Sequence, residues 1–466
     1  MSSKPKFIGL NTSYPTANAD KLERLHMDGA ASPLAAVSGF EMVKKLLPHY
    51  SNTHSYVHSS AHISSKAFEW AHKVVLGFLG AATDEYTTVF TGSGCTAAIN
   101  RVARGLSTAR PNRQTVLVSS MEHHANDLPH RQFGNNVIYL PLNGEGANSG
   151  AVDLQQLSSL CSEYENDINY IAISSVSNVT GVSNPIKEIC EIAHRHGVLV
   201  LVDGAQSVAH GSTNLSSLGV DFFVFSGHKV YAPMSPGVLV AKTALLQDLV
   251  GQDLGGGSVS SVSAYDYSFV DDPSEREESG TPNIIGAIAL AAVLTELQEF
   301  GFSNIVKHHQ RLMSSLRSSL ASLSKVTIYA DPKLPRTGAL AFNVKGVDHG
   351  LAAAVLNDYF AIAVRNECFC AHPYVSALLK QELWEIDLND VAEDEQEALV
   401  NRKRGMVRAS VSLYNTDADI KRLVIALTEL SNNIETYAKN YEVDSNGVYT
   451  HKSFQLDWQS ELDSQR

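Results

Sequence analysis

Cysteine is scarce in this chain, and the five present (Cys95, Cys161, Cys190, Cys368 and Cys370) form an odd, scattered set. That argues against a disulfide framework. It favours a reducing, cytoplasmic setting, where a special cysteine is reactive rather than structural. Basic residues are outnumbered: 36 Lys and Arg against 49 Asp and Glu give a formal net charge of −13. With no Lys/Arg cluster either, neither nucleic acid nor an anionic membrane surface is expected as a partner. Long apolar runs are missing. The longest, Ile284 to Leu294, is far too short to span a bilayer, and Met1–Phe7 leads into no apolar core of signal-peptide length. No internal repeat is visible. What remains is 44% hydrophobic and 18% charged residues over 466 positions, the composition of a globular protein of two or three domains.

The apolar pattern alternates between short runs and amphipathic stretches. Strands are expected at 86–91, 115–119, 137–140, 169–174, 198–202, 221–225 and 237–241, with helices at 34–47, 66–80, 153–163 and 185–196. Strands alternating with helices imply an α/β fold whose mostly parallel, seven-stranded sheet is covered on both faces. The domain reading is an N-terminal arm (1–26, irregular at its start), a large domain (27–300), a smaller C-terminal α/β domain (301–440) and a polar tail (441–466). The tail reads as a surface strap or as poorly ordered. Within the small domain, helix 349–358, strands 326–329, 339–344, 361–364 and 406–411 and a closing helix 417–438 are expected, with a charged helical insertion at about 382–404. The His/Ser-rich stretch Ser51–Ser65 reads as a loop, and Gly251–Asn283 as a long segment without regular structure.

One pairing says most about chemistry. Val200-Leu201-Val202-Asp203 ends an apolar run in an acid, and the next unit, Val224-Phe225-Ser226-Gly227-His228-Lys229, ends in a lysine. Pyridoxal phosphate (PLP) enzymes hold their cofactor this way: the carboxylate keeps the pyridine nitrogen protonated, and the lysine amine binds the aldehyde. Taken singly, Asp203 is a turn or cap residue and Lys229 a surface lysine; together those readings lose their force. Gly92-Ser93-Gly94-Cys95-Thr96, a strand-to-helix turn, offers free N–H groups to a phosphate, although Gly-rich turns are common and this one lacks the Lys-Ser/Thr of a nucleotide loop.

Several further motifs stand in order: Met121-Glu122-His123-His124-Ala125-Asn126, Val176-Ser177-Asn178, Ser279-Gly280-Thr281-Pro282-Asn283, Ala363-Val364-Arg365, Cys370-Ala371-His372-Pro373 and Val407-Arg408-Ala409-Ser410. With these the chain, from about Met27 to Leu430, resembles the fold-type I PLP enzymes of the class V aminotransferase group. The cysteine desulfurase and selenocysteine lyase branch is the most similar. The resemblance implies a cofactor set of Cys95, Thr96, His123, Asn178, Asp203, Gln206, Ser226, His228, Lys229 and Thr281. In it Gln206 faces the phenolate oxygen, His123 stacks on the ring, and Ser226 and His228 help hold the phosphate. Thr281 resembles a ligand supplied across a homodimer interface. Arg408, with its planar fork, is expected to clamp the substrate carboxylate, with Arg365 and His58 beside it. Lys229, His123 and Cys370 are the expected catalytic residues. In the resembled desulfurases a cysteine at this place takes the sulfur of cysteine as a persulfide and alanine leaves, which suits a soft thiolate nucleophile. A sulfur-acceptor protein is then an expected partner.

The chain departs from that pattern locally. Glu367-Cys368-Phe369 replaces the Gly-His-His that precedes the cysteine in the most similar group, and the resulting Cys-Phe-Cys is similar to the PLP domain of molybdenum-cofactor sulfurases. Ala97 stands where many relatives have a glutamate, and Ser59 where they have an arginine. Rival readings are a class V aminotransferase, epimerase or carbon–sulfur lyase that does not use Cys370. Outside enzymes, Cys368, Cys370 and His372 could form a metal clip or sulfur carrier, but alternating strand positions do not readily face one ion and no Cys-x-x-Cys is present, so no metal is expected.

Overall fold

The computed structural model describes residues 4–53, 55–249, 253–380, 404–444 and 447–463, with positions 392, 396, 399 and 400. Seven strands form the large sheet, in spatial order Tyr86–Thr91, Gly237–Lys242, Phe222–Ser226, Leu199–Asp203, Ile168–Ser174, Thr115–Ser119 and Asn136–Leu140. All neighbours run parallel except Gly237–Lys242, which is antiparallel to both of its own. The strand sequences show why the sheet is buried on both faces. Phe223 and Phe225 pack on one side with Val200 and Val202. Phe222, Val224 and Leu201 pack on the other, against Ile99, Val102 and Leu106 of helix Gly94–Ala109. Two-sided burial is what a strand without polar alternation demands. Helix Ile284–Phe300 is buried along nearly its whole length against the first face. Among the described residues no single helix is long and apolar enough to cross a membrane.

A second sheet is antiparallel, in order Val326–Ile328, Ala339–Val344, Met406–Ser410 and Arg365–Glu367. Its period of two positions the site. Val407 and Ala409 join the core under helices Phe302–Ala321, His349–Phe360 and Asp417–Ala438. Arg408 therefore points the opposite way, toward the large sheet.

Several expected elements differ. The helix expected at 66–80 is Ser59–Phe78, so half of the stretch read as a loop is helical. The His58 ring caps it, accepting from the Ala61 N–H at 3.3 Å, and Ala61, Ser64 and Ser65 are buried despite their small, polar look. The arm is not irregular throughout. Ser13–Pro15 pairs with Lys21–Glu23, and Leu25–His26 pairs in parallel with Ile362–Ala363. Gly251–Asn283 holds a hairpin, Val259–Val262 with Tyr267–Phe269, and the short helix Pro273–Glu277. The single strand expected at 361–364 is split into Ile362–Ala363 and Arg365–Glu367. The tail forms a hairpin, Tyr441–Val443 with Tyr449–His451, in which the His451 ring meets the Tyr359 hydroxyl at 2.9 Å. The insertion expected at about 382–404 lies almost entirely outside the described residues.

Candidate active site

Four parallel strands end in residues that matter: Ser119, Ser174, Asp203 and Ser226. Ligands of open α/β sheets bind beyond these carboxyl ends. Here a cavity of about 560 Å³ opens there, lined by Cys95, Thr96, His123, Asn178, Asp203, Gln206, Ser226, His228, Lys229, Arg365, Cys370 and Arg408, among others. Twelve of the fourteen expected site residues thus share one space, and its volume suits a small cofactor with its substrate.

At one end lies the turn before helix Gly94–Ala109. The Cys95 N–H donates to Ser226 Oγ at 2.8 Å, tying the helix start to the lysine strand. Gly94 has φ +56°, and a Cβ there would stand 2.5 Å from Ser226 Oγ, so only glycine leaves this corner open. Asp203 is 5% exposed, accepts the Ala205 N–H at 2.9 Å and lies 3.5 Å from the Cys95 thiol. Burial pushes its carboxyl above the usual range, and no cationic side chain forms an ion pair with it among the described residues. Lys229 follows in the short turn Gly227–Lys229, and burial lowers its ammonium below the ordinary lysine range. His123 is pushed down to about 4, first by burial and then by Lys229, so its ring is neutral. Its Nδ1 accepts the Ala125 N–H at 3.0 Å, which leaves the proton on Nε2.

At the other end, Arg408 is 3% exposed. It donates through Nη1 to the Asn178 carbonyl at 2.8 Å and through Nη2 to Asp28 at 3.1 Å, and lies 4.8 Å from the Phe369 ring centre. Cys370 is exposed, the only free thiol that is; the other four are buried. Its loop is unusual, with Phe369 and Cys370 both left-handed at φ +51° and +54°. Such residues cost roughly 1–3 kcal/mol each unless their surroundings hold them. Two bonds do: Asn178 Nδ2 to the Phe369 carbonyl at 2.7 Å and the His124 N–H to the Cys370 carbonyl at 2.7 Å. Cys368 faces away, its thiol 2.8 Å from the Arg404 carbonyl and pushed up to about 12 by burial. Among the described residues no group of three His, Cys, Asp or Glu could hold a metal ion.

Known proteins fit this geometry. The family model described as Aminotransferase class-V matches residues 27–423. A probable cysteine desulfurase of Halalkalibacterium halodurans is 35% identical over 86% of this chain and 92% of its own. A cysteine desulfurase of Escherichia coli O127:H6 is 32% identical over 87% and 93%. Among solved structures, the apo cysteine desulfurase of Thermococcus onnurineus NA1 superposes with a TM-score of 0.77 at 27% identity, covering 93% of this chain and 100% of that one. The S-sulfonic acid form of an Escherichia coli cysteine desulfurase gives 0.71 at 29% identity, covering 87% and 94%. The chain belongs to the class V aminotransferase family.

Enzymes of the class V family use PLP, and the donor set here fits that group. A buried carboxyl that forms no ion pair among the described residues faces the cavity, where a pyridine N–H would meet it. The Gly94 corner at a helix start provides an anion cradle, and Lys229 is a suppressed ammonium. Two expected residues stay outside the cavity. His58 is exposed and serves as the cap of its helix, while Thr281 is exposed on the segment after Glu278. Gln206 reaches the Ala30 carbonyl at 2.7 Å from the cavity wall. Sequence reasoning gave no job to Asp28, Phe369, Glu122 or Asn126. Glu122 and Asn126 stood in a quoted motif, and an acid and an amide flanking two histidines were the available signal. Asp28 and Phe369 gave none, because their partner Arg408 is remote in the chain.

Proposed function

We propose that the chain is a PLP-dependent enzyme that removes sulfur from L-cysteine, or selenium from selenocysteine, and releases alanine, with Cys370 taking the sulfur as a persulfide. One observation carries this reading. The single exposed thiol shares a cavity with Lys229, Asp203 and Arg408, on a left-handed loop pinned from both sides.

PLP, when bound, supplies an electron sink for an amino acid joined to it. The chain's residues do the rest. Lys229 is the amine that would hold the cofactor aldehyde, and with its ammonium disfavoured by burial the free amine would take the proton from Cα. Asp203 would hold the proton of the pyridine nitrogen. Ser226, His228, Cys95 and Thr96 would hold the phosphate end, while the neutral His123 ring and Gln206 complete the walls, with Asn178 bonded to the cysteine loop. Arg408 orients the substrate carboxylate, with Arg365 at the rim. The Cys370 thiolate attacks the substrate sulfur. The new S–S bond forms as the Cβ–S bond breaks, its electron pair remaining on carbon, and protonation there gives alanine.

The same reading includes a cytoplasmic setting, which five free cysteines suit, together with a homodimer and a sulfur-acceptor protein. Thr281 is exposed on a segment braced by buried Glu277, paired with Arg101 at 2.9 Å, and buried Glu278, which accepts the Phe90 N–H at 2.6 Å. That bracing suits a residue offered to a second subunit. The exposed Cys370 suits hand-over to an acceptor.

The test is product analysis from L-cysteine with a thiol reductant, comparing the native chain with Cys370→Ala. Alanine and sulfide from the native chain, lost in the variant, support the reading. Pyruvate and ammonia from both would replace it with a carbon–sulfur lyase.

A further inference from the structure

Glu122 is 4% exposed and forms no ion pair among the described residues. Its carboxyl instead receives four donors. Ser119 Oγ is one; the others are the Ser174 N–H at 2.8 Å, Ser174 Oγ at 2.5 Å and Asn126 Nδ2 at 2.6 Å. They come from the ends of two parallel strands and from the turn that follows His123. Because the Asn126 amide donates to the carboxylate, its oxygen must accept, and it meets His130 Nε2 at 3.1 Å. His130 Nδ1 is then the bare nitrogen and accepts the Tyr170 hydroxyl at 2.9 Å. Three hydrogen bonds thus run one way, from Tyr170 through His130 and Asn126 to Glu122. Apart from the carboxylate itself the chain is uncharged: burial pushes His130 down to about 3 and Tyr170 above the usual range, so both are neutral, as is the neighbouring His123. The adjoining Asp127, which acts on His130, is paired with Arg131.

The carboxylate clamps the base of a turn with two functional ends. The Asn126 N–H closes that turn on the His123 carbonyl at 2.7 Å, and the next N–H along from His123, that of His124, holds the Cys370 carbonyl. Ser174, on the other side of the clamp, lines the cavity.

We propose that Glu122 is a positioning residue whose four-donor clamp fixes both the His123 ring at the cofactor and the Cys370 carbonyl, so that its ionisation tunes the cofactor environment and the reactivity of the thiol together. Burial holds the carboxyl up to about 7, against the pull of its hydrogen bonds. When it takes a proton, either serine hydroxyl can turn and accept. Each oxygen also faces a donor that cannot turn, the Ser174 N–H on Oε1 and the Asn126 amide on Oε2, so protonation of either oxygen costs one of these bonds and the clamp loosens. The consequence for turnover rests on the desulfurase reading; the spectroscopic and alkylation consequences do not.

The experiment uses the full chain loaded with PLP. Glu122→Gln places an NH₂ against one of the two fixed donors, the Ser174 N–H on Oε1 or the Asn126 amide on Oε2. Three readouts are needed: induced circular dichroism of the visible cofactor band between about pH 6 and 9, the rate of Cys370 alkylation by iodoacetamide, and kcat and KM for L-cysteine. The native chain should show a dichroism change centred near neutrality that Glu122→Gln lacks. Alkylation should shift several-fold, and kcat should fall on the order of 10-fold with KM little changed. Ser119→Ala keeps the carboxylate and removes one donor, so its dichroism midpoint should move to higher pH; it decides the matter if Glu122→Gln does not fold. A native pH profile and alkylation rate in Glu122→Gln, or an unmoved midpoint in Ser119→Ala, overturns the proposal. If the native chain forms no alanine while dichroism and alkylation respond as expected, the desulfurase reading falls and the Glu122 clamp stands.

Discussion

The backbone N–H of His124 donates to the carbonyl of Cys370 at 2.7 Å. That bond joins the turn carrying His123 to the loop carrying the exposed thiol, across 246 residues of sequence (370 minus 124). With the Asn178 bond to Phe369 it holds two left-handed residues that would otherwise relax. The loop geometry is therefore imposed from outside the loop.

Asn178→Ala leaves the Phe369 carbonyl without its donor, at a cost of about 1–3 kcal/mol, the scale for a buried unpaired group. Persulfide formation in a single turnover should slow roughly 5- to 150-fold, since about 1.4 kcal/mol is a factor of ten. The measurement is thiol labelling of Cys370 over time at saturating PLP. A native rate there would mean that the loop holds itself.

Arg408→Lys keeps the charge and loses the fork. The guanidinium now bridges the Asn178 carbonyl and Asp28 while its buried Nε has no partner among the described residues. An ammonium cannot make those bonds and also grip a carboxylate in two places. One lost charge-assisted bond of about 1.5–3 kcal/mol predicts a 10- to 100-fold rise in KM for L-cysteine, with a smaller change in kcat. An unchanged KM would remove Arg408 from substrate binding.

Gly94→Ala tests the anion corner. At φ +56° an added Cβ costs roughly 1–2 kcal/mol in backbone strain, and it also meets Ser226 Oγ, the acceptor of the Cys95 N–H. PLP affinity, read from the visible band in a titration, should fall about 10-fold or more. Equal affinity would place the phosphate elsewhere.

Acid should destabilise this fold before it touches most carboxylates. His130 is fully buried and neutral, held down to about 3 against an ordinary value near 6.5. Its folded-state value is depressed, so its contribution is present above about pH 6.5 and lost as pH falls from there toward 3, because the unfolded chain binds the proton first. The slope is about 1.4 kcal/mol per pH unit for one proton. His123 and His210, each lowered to about 4 by burial, add to it in the same direction. Denaturant melts between pH 7 and pH 5 should show stability falling with pH, and His130→Gln should flatten that fall by about one proton.

The sequence by itself determined the strand ends. Asp203 and Ser226 close apolar runs, and Lys229 follows the second of them, because a strand buried on both faces must end where polar residues begin, and in a parallel sheet those ends share one edge. Hence the sheet-edge half of the cavity was readable: Asp203, Lys229, Ser226 and the Gly92–Thr96 turn meet as their positions imply. The start of helix Ser59–Phe78 was not, because small buried residues such as Ala61, Ser64 and Ser65 carry no apolar period. Only the tertiary structure decided how Arg408 meets Asp28, 380 residues away, why Phe369 and Cys370 are left-handed, and what Glu122 holds. Periodicity records which face of an element is buried. It does not record which distant group meets that face, and the Arg408 and Cys370 end of this cavity is made almost wholly of such meetings.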